Sequence, residues 1–157
     1  QRTISNLRPA HLDDLGLPAA LRWYLKETAQ HIDLPKINFR LQGSERNLPD
    51  SVKTAIFRIV QEAVTNAIKH AQANCIEVTL IYFFNSVDAT IQDDGIGIDL
   101  KTKQGERRPS WGLLGMQERI SLLNGKFELS SEPGTGVVVH VSIPAEERIE
   151  EEIPSAP

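Results

Sequence analysis

The stretch DSVKTAIFRIVQEAVTNAIKHA, residues 50–71, limits the folds open to this chain more than any other part of it. After a Pro–Asp–Ser start signal its apolar residues recur at helical spacing for about six turns, so it predicts a long helix that needs a broad surface to cover its apolar stripe. Counting about 100° per residue from Glu62, the apolar Ala55, Ile59 and Ala63 fall at about 20°, 60° and 100°. Lys69, Asn66 and His70 fall at about −20°, 40° and 80°, so Asn66 and His70 interrupt the stripe and do not merely decorate a wet face. Burying such groups unpaired costs about 1–3 kcal/mol each. Taken singly, each has a bland reading as a satisfied core polar or a flanking surface charge. A carboxylate, an amide, an amine and an imidazole on successive turns are better explained by a polar ligand. Glu62 and Asn66, one turn apart, suit a water and an oxygen-liking cation, and Mg²⁺ typically keeps waters beside one or two protein ligands.

Around this helix the pattern predicts a first helix over about residues 18–32, with Leu17, Leu21, Tyr24, Leu25 and Ile32 on one face, and a strand in KINFRL. CIEVTLIYFF and VDATIQ read as strands joined at Asn85-Ser86, and KFELSS and VVVHVSI as two more around the turn EPGTG. A short helix is predicted over about residues 116–123, stopping at Asn124-Gly125. The sum is an α+β chain: about five strands in a mixed sheet with about three helices on one face, packed as a two-layer sandwich. The segment IDLKTKQGERRPSWG, charged and without apolar period, reads as a long mobile loop.

At 157 residues the chain is expected to hold one core, and no apolar run approaches the ~18–20 residues that span a bilayer. Its polar start does not read as a signal peptide and is expected to be a boundary within a longer protein. The single cysteine, Cys75, excludes an internal disulfide and suits a reducing, cytoplasmic setting. The net charge of −4 is accounted for by the tail AEERIEEEIPSAP alone, which carries five Glu and one Arg and is expected to be disordered. The balanced remainder argues against direct nucleic-acid binding, which needs a positive surface.

Two glycine clusters follow. In IQDDGIGI, Asp93 ends a strand and precedes Gly95 and Gly97, a spacing that permits a sharp turn, with a carboxylate placed to accept from an exocyclic amine. A tight turn without function is an equally good reading of an Asp-Gly pair alone. In SWGLLGMQER, Gly112 and Gly115 are predicted to stand just before the short helix, whose free N–H groups favour anions, or else to be a flexible linker. Lys101, Lys103, Arg107 and Arg108 lie between the clusters, where they could meet phosphates or simply water. There is no GxxxxGK[ST] loop and no complete dinucleotide fingerprint. The four histidines lie on separate elements, and no nucleophile–base pair is visible.

Taken in order, Glu62-x-x-x-Asn66, Asp93-x-Gly95-x-Gly97 and Gly112-x-x-Gly115 resemble the N, G1 and G2 boxes of the GHKL ATP-binding superfamily. QEAVTNAIKHA, DDGIG and GLLGMQER, with LRPAHLDDLGLPAAL near the start, resemble sensor histidine kinases of the nitrate-sensor, DesK and LiaS-like class, over roughly residues 7–144. The resemblance implies a Bergerat-type sandwich binding ATP and Mg²⁺. It implies that Asn66 coordinates the metal, that Asp93 binds the adenine amine, and that Gly95 and Gly97 shape the base pocket. It implies that Gly112 and Gly115 hinge a lid whose backbone, at Leu113 and Met116, meets phosphates. Lys69 and His70 would lie near the triphosphate, and Glu62 would be the base or water-positioning group.

The resemblance divides the chain into the end of the dimerisation region and linker (1–16), an ATP-binding domain (17–145) and the acidic tail (146–157). It implies partners in the protein's own dimerisation and phospho-acceptor helices, in a homodimer, and in a cognate response regulator. Membrane attachment would come only through other parts of the protein. Three departures stand out. Val137 follows Gly134-Thr135-Gly136 where the family often has Thr, so Thr135 is the candidate substitute near the adenine. Ser110-Trp111 precede Gly112 where small residues or His are common. His11, in HLDDL, lies in the linking segment and is not assigned as the phospho-acceptor. A gyrase- or MutL-like ATPase, in which Glu62 activates water, and a non-catalytic nucleotide-sensing scaffold are the alternatives on the same fold.

Overall fold

The computed structural model describes residues 12–13, 15–97 and 111–145, with residues 111–114 described by their backbone. Three helices and five strands follow one another: α1 (Leu17–Gln30), β1 (Lys36–Gln42), α2 (Asp50–His70), β2 (Cys75–Tyr82), β3 (Ser86–Asp93), α3 (Trp111–Leu122), β4 (Lys126–Ser131) and β5 (Val137–Pro144). The sheet order is β1-β2-β3-β5-β4. β1 and β2 pair in parallel because the long α2 carries the chain back between them, whereas the other three pairings are antiparallel.

Strand alternation sets one face of this sheet inward. Ile76, Val78 and Leu80 of β2, Val87, Ala89 and Ile91 of β3, and Val139, Val141 and Ile143 of β5 are all buried. The helices cover them with Leu17, Leu21 and Leu25 of α1, Ile120 of α3, and a broad stripe of α2 that includes Val52, Ile56, Val60 and Ala67. Tyr24 of α1 meets Phe57 of α2 edge-on, with ring centroids 5.7 Å apart. The two-layer α+β sandwich expected from the pattern is the architecture observed.

Two boundaries differ. α1 stops at Gln30, two residues before the expected end. More consequentially, α3 begins at Trp111, five residues before the expected Met116, so Gly112 and Gly115 lie within the helix and not ahead of it. Glycine costs only about 1 kcal/mol in a helix interior, which burial of Ile120 outweighs. His11, Lys101, Lys103, Arg107, Arg108, Ser110 and the acidic tail fall outside the described residues.

Candidate functional site

The C-terminal half of α2 supplies the first part of the site. Glu62 and Asn66 are both half-buried, one turn apart, and both are engaged by interactions within the protein. The buried arc of α2 is wider than the one drawn through Ala55, Ile59 and Ala63. Its centre runs near Ile56, Val60 and Ala67, about 100° from Asn66, so Glu62 and Asn66 stand at its margin. Lys69 and His70 are exposed, which corrects the expectation that His70 interrupts the stripe. A helical wheel fixes direction but not what stands opposite, and over the last turn cover reaches only Ala67 and Ala71. From α1, the phenol of Tyr24 stands near Thr65 and feels the Glu62 charge. Burial first, and Glu62 after it, holds its pKa above the ordinary value.

At the end of β3 two adjacent carboxylates have opposite fates. Asp93 is 6% exposed, and its Oδ1 accepts from the Gly95 N–H at 2.8 Å and the Val137 N–H at 3.3 Å. Loss of water raises its pKa; the two N–H bonds oppose this, and neighbouring Asp94 adds to it. Asp94 is exposed, and its Oδ1 accepts from the N–H groups of Cys75 at 3.0 Å and Asn74 at 2.8 Å, which lower its pKa. Asp94 therefore fastens the start of β2. Asp93 stays at the end of β3 with one oxygen held by the backbone, and among the described residues both bonds given to it go to that oxygen.

Gly95 and Gly97 owe their place to close backbone approaches within the protein. A Cβ on Gly95 would lie 2.1 Å from the Ala71 carbonyl oxygen, just beyond α2, and the next residue, Ile96, donates to that same oxygen at 2.8 Å. Gly97, at φ +74°, backs onto the Glu132 carbonyl of the β4–β5 turn. That turn is tied back in return: Gly134 N–H donates to Ile96 O at 2.6 Å, and a Cβ on Gly136 would strike Asp93 O at 2.1 Å. Thr135 is exposed, and its hydroxyl donates to Glu132 O at 2.9 Å, so the turn itself uses this group. In α3, Gly115 faces open space and Met116 packs partly buried against the core, while Gly112 and Leu113 sit in the first turn.

Three elements thus converge: the end of α2, the Asp93–Gly97 turn and the β4–β5 turn. Pattern reading singled out Asp93, which ends β3, and Glu62 and Asn66, in the C-terminal half of α2. It missed the Val137 N–H and the Ala71 carbonyl, because backbone groups leave no side-chain signal. The chemistry of Asp93 fits a nucleotide: among the described residues both hydrogen bonds to its carboxylate go to Oδ1, and a carboxylate oxygen such as Oδ2 is an acceptor for a ring amine. Glu62 and Asn66, one turn apart on α2, carry oxygens of the kind that Mg²⁺ takes beside water and phosphate ligands.

A mixed five-stranded sheet under three helices is also the fold of solved histidine kinase domains. Residues 51–147 match the family model described as histidine kinase-, DNA gyrase B-, and HSP90-like ATPase, and the chain belongs to that family. It is 39% identical over 139 residues to the signal transduction histidine-protein kinase/phosphatase DegS of Bacillus subtilis, covering 87% of this chain and 36% of that protein. It is 36% identical over 138 residues to the oxygen sensor histidine kinase NreB of Staphylococcus carnosus, covering 88% of this chain and 39% of that one. The chain thus spans well under half the length of these relatives. Among solved structures, the histidine kinase domain of the Erythrobacter litoralis EL346 blue-light activated kinase aligns with a TM-score of 0.62 at 22% identity, over 82% of this chain and 64% of that one. The chain is accordingly the ATP-binding catalytic domain of the sensor histidine kinase type. Among the described residues no helix is long and apolar enough to cross a membrane.

Proposed function

We propose that this domain binds Mg-ATP and delivers the γ-phosphoryl group to a histidine on the dimerisation helices of the full-length homodimer, from which a response regulator takes it. The observation that carries the reading is the state of Asp93: buried, with Oδ1 held by two backbone N–H groups and Oδ2 left to accept from the adenine amine. Asn66 would be the protein's ligand to Mg²⁺, and the metal, when bound, neutralises phosphate charge. Glu62, at the margin of the core, would take the proton released as the acceptor nitrogen replaces ADP on phosphorus. Lys69 and His70, exposed at the end of α2, are free to meet phosphate oxygens. The first turn of α3, at Gly112 and Leu113, would present its free N–H groups to the phosphates, with Gly115 and Met116 in the turn behind it. Within this reading the domain proper runs over 17–145, and it faces the cytoplasm.

The test is transfer of label from γ-labelled ATP. The full-length protein should become labelled on histidine, and the 157-residue chain alone should hydrolyse ATP only feebly. Brisk hydrolysis by the isolated chain would favour a gyrase-like ATPase, with Glu62 activating water.

A further inference from the structure

The β2–β3 turn exposes two adjacent aromatic residues: Phe83 is 49% exposed and Phe84 83%. Single exposed apolar residues are ordinary, but this pair is mounted on a firmly tied backbone. The Phe83 N–H donates to Ser86 O at 2.8 Å. Arg46 donates through its two terminal nitrogens to the carbonyls of Phe83, Phe84 and Ser86. From the end of the last strand, the Ala145 N–H donates to Asn85 O at 2.9 Å. A turn fixed in this way has little ordering left to lose when its rings are covered, which is what makes an aromatic side chain an effective anchor.

The course of the chain after Ala145 decides what reaches that anchor. Ala145 is buried just past the end of β5, and it is bonded to the residue that follows Phe84. Beyond it runs EERIEEEIPSAP, whose large apolar residues are Ile149 and Ile153. Ala145, Ile149 and Ile153 stand four residues apart, so on a helix they make one stripe, with the Glu residues and Arg148 around the remainder. Pro144 ahead, Glu146 and Glu147 in the first turn and Pro154 behind suit the start and stop of such a helix. Composition alone predicts disorder for this segment, but the stripe already has one buried member in Ala145. Ile149 would lie about 6 Å from Ala145 on a helix and no more than about 14 Å in an extended chain, which brings the turn at Phe84 within its reach. Charge agrees: Arg46 brings a cation to the turn and meets neutral carbonyls there, and the segment supplies five Glu.

We propose that the acidic segment 146–157 folds back as a short amphipathic helix and seats Ile149 and Ile153 on Phe84 and Phe83, so that the β2–β3 turn is its docking site. The aromatic pair is then covered in the free domain and uncovered when the segment is drawn away. β3 runs from Ser86 to Asp93, which sets the turn about 20 Å from the nucleotide site. The proposal does not depend on the nucleotide reading, and either can fail without the other.

The test is nuclear Overhauser spectroscopy on the 157-residue chain with labelled isoleucine δ1 methyls and phenylalanine rings. Cross-peaks should join the methyls of Ile149 and Ile153 to the rings of Phe84 or Phe83. Phe84→Ser should melt as wild type does, because the side chain is exposed, yet it should erase these cross-peaks. It should also speed amide exchange over residues 149–153 about threefold, as loss of a weak local structure does. Ile149→Ser should do the same from the other side of the contact, and both variants should leave the amides of residues 93–97 in place. The proposal is overturned if the wild-type chain gives no methyl–ring cross-peak, or if Phe84→Ser leaves exchange of the segment unchanged. Sedimentation then names the other occupant: self-association abolished by Phe84→Ser gives the turn to a second copy, and a monomer gives it to a partner outside this chain.

Discussion

Asp93 Oδ1 accepts from the backbone N–H of Val137 at 3.3 Å, so the carboxylate that closes β3 is held by the first residue of β5 through a group every amino acid but proline possesses. The departure from a family threonine at this position therefore leaves that support intact. Val137→Thr is expected to change affinity for a non-hydrolysable ATP analogue by no more than about threefold, because the added hydroxyl is worth at most about one modest hydrogen bond. A tenfold change measured by calorimetry would show that the side chain, and not the backbone, governs the contact.

Asp93 and Asp94 should separate function from stability. Asp93 has its folded pKa raised, so its ionised form costs stability at neutral pH, and that cost is relieved as pH falls through the folded value toward the ordinary one of about 4. Asp93→Asn is expected to melt at or above the wild-type temperature at neutral pH, with the difference closing in acid, while losing nucleotide binding at least tenfold.

Asp94 has the opposite sign. Its folded pKa is lowered by the Cys75 and Asn74 N–H bonds, so its stabilisation is present above the unfolded pKa and lost as pH falls through the folded one. Asp94→Ala should melt lower at neutral pH, approach wild type in acid, and keep its nucleotide affinity within about threefold, a change of less than about 1 kcal/mol. Thermal melts across pH, paired with titrations, read both variants. Loss of binding in Asp94→Ala with normal stability would reverse the assignment.

Glycines of two box motifs should respond in opposite directions. A Cβ at Gly95 meets the Ala71 carbonyl oxygen at 2.1 Å, and neither backbone can yield without breaking the Ile96–Ala71 bond. Gly95→Ala should cost about 2–4 kcal/mol in denaturant unfolding. Gly115 lies within α3 facing open space, so Gly115→Ala should stabilise by about 0.5–1 kcal/mol. Destabilisation by Gly115→Ala would mean that this segment is not helical in solution.

The strands and α2 were legible in the sequence because period-two and 3.6-residue patterns record which side of each element meets the core. Asp93 was legible as a carboxylate at a strand end beside two glycines. The start of α3 was not, since local glycine propensity argued against a helix that burial of Ile120 supports. The exposure of His70 was hidden because periodicity carries no record of where a helix outruns its cover. The separate duties of Asp93 and Asp94 depend on backbone N–H groups supplied from residues 74, 75, 95 and 137, distant in sequence and silent in any side-chain pattern.

Asn66 is half-buried at the margin of the α2 stripe, one turn from Glu62. Asn66→Asp puts a second carboxylate beside the first and alters the charge presented to metal and phosphates together. The variant should fold, bind nucleotide without Mg²⁺ within about threefold of wild type, and lose most of the tightening that Mg²⁺ brings; a change of about threefold amounts to less than 1 kcal/mol. Mg²⁺ tightening equal to wild type would remove Asn66 from the metal site.

The most direct measurement is calorimetric titration of the purified chain with a non-hydrolysable ATP analogue, with and without Mg²⁺, beside Asp93→Asn. One-to-one binding that strengthens with Mg²⁺ and disappears in the folded Asp93→Asn variant is the predicted result. Binding that survives Asp93→Asn unchanged, or no binding by the folded wild-type chain under either condition, would contradict the nucleotide site centred on Asp93.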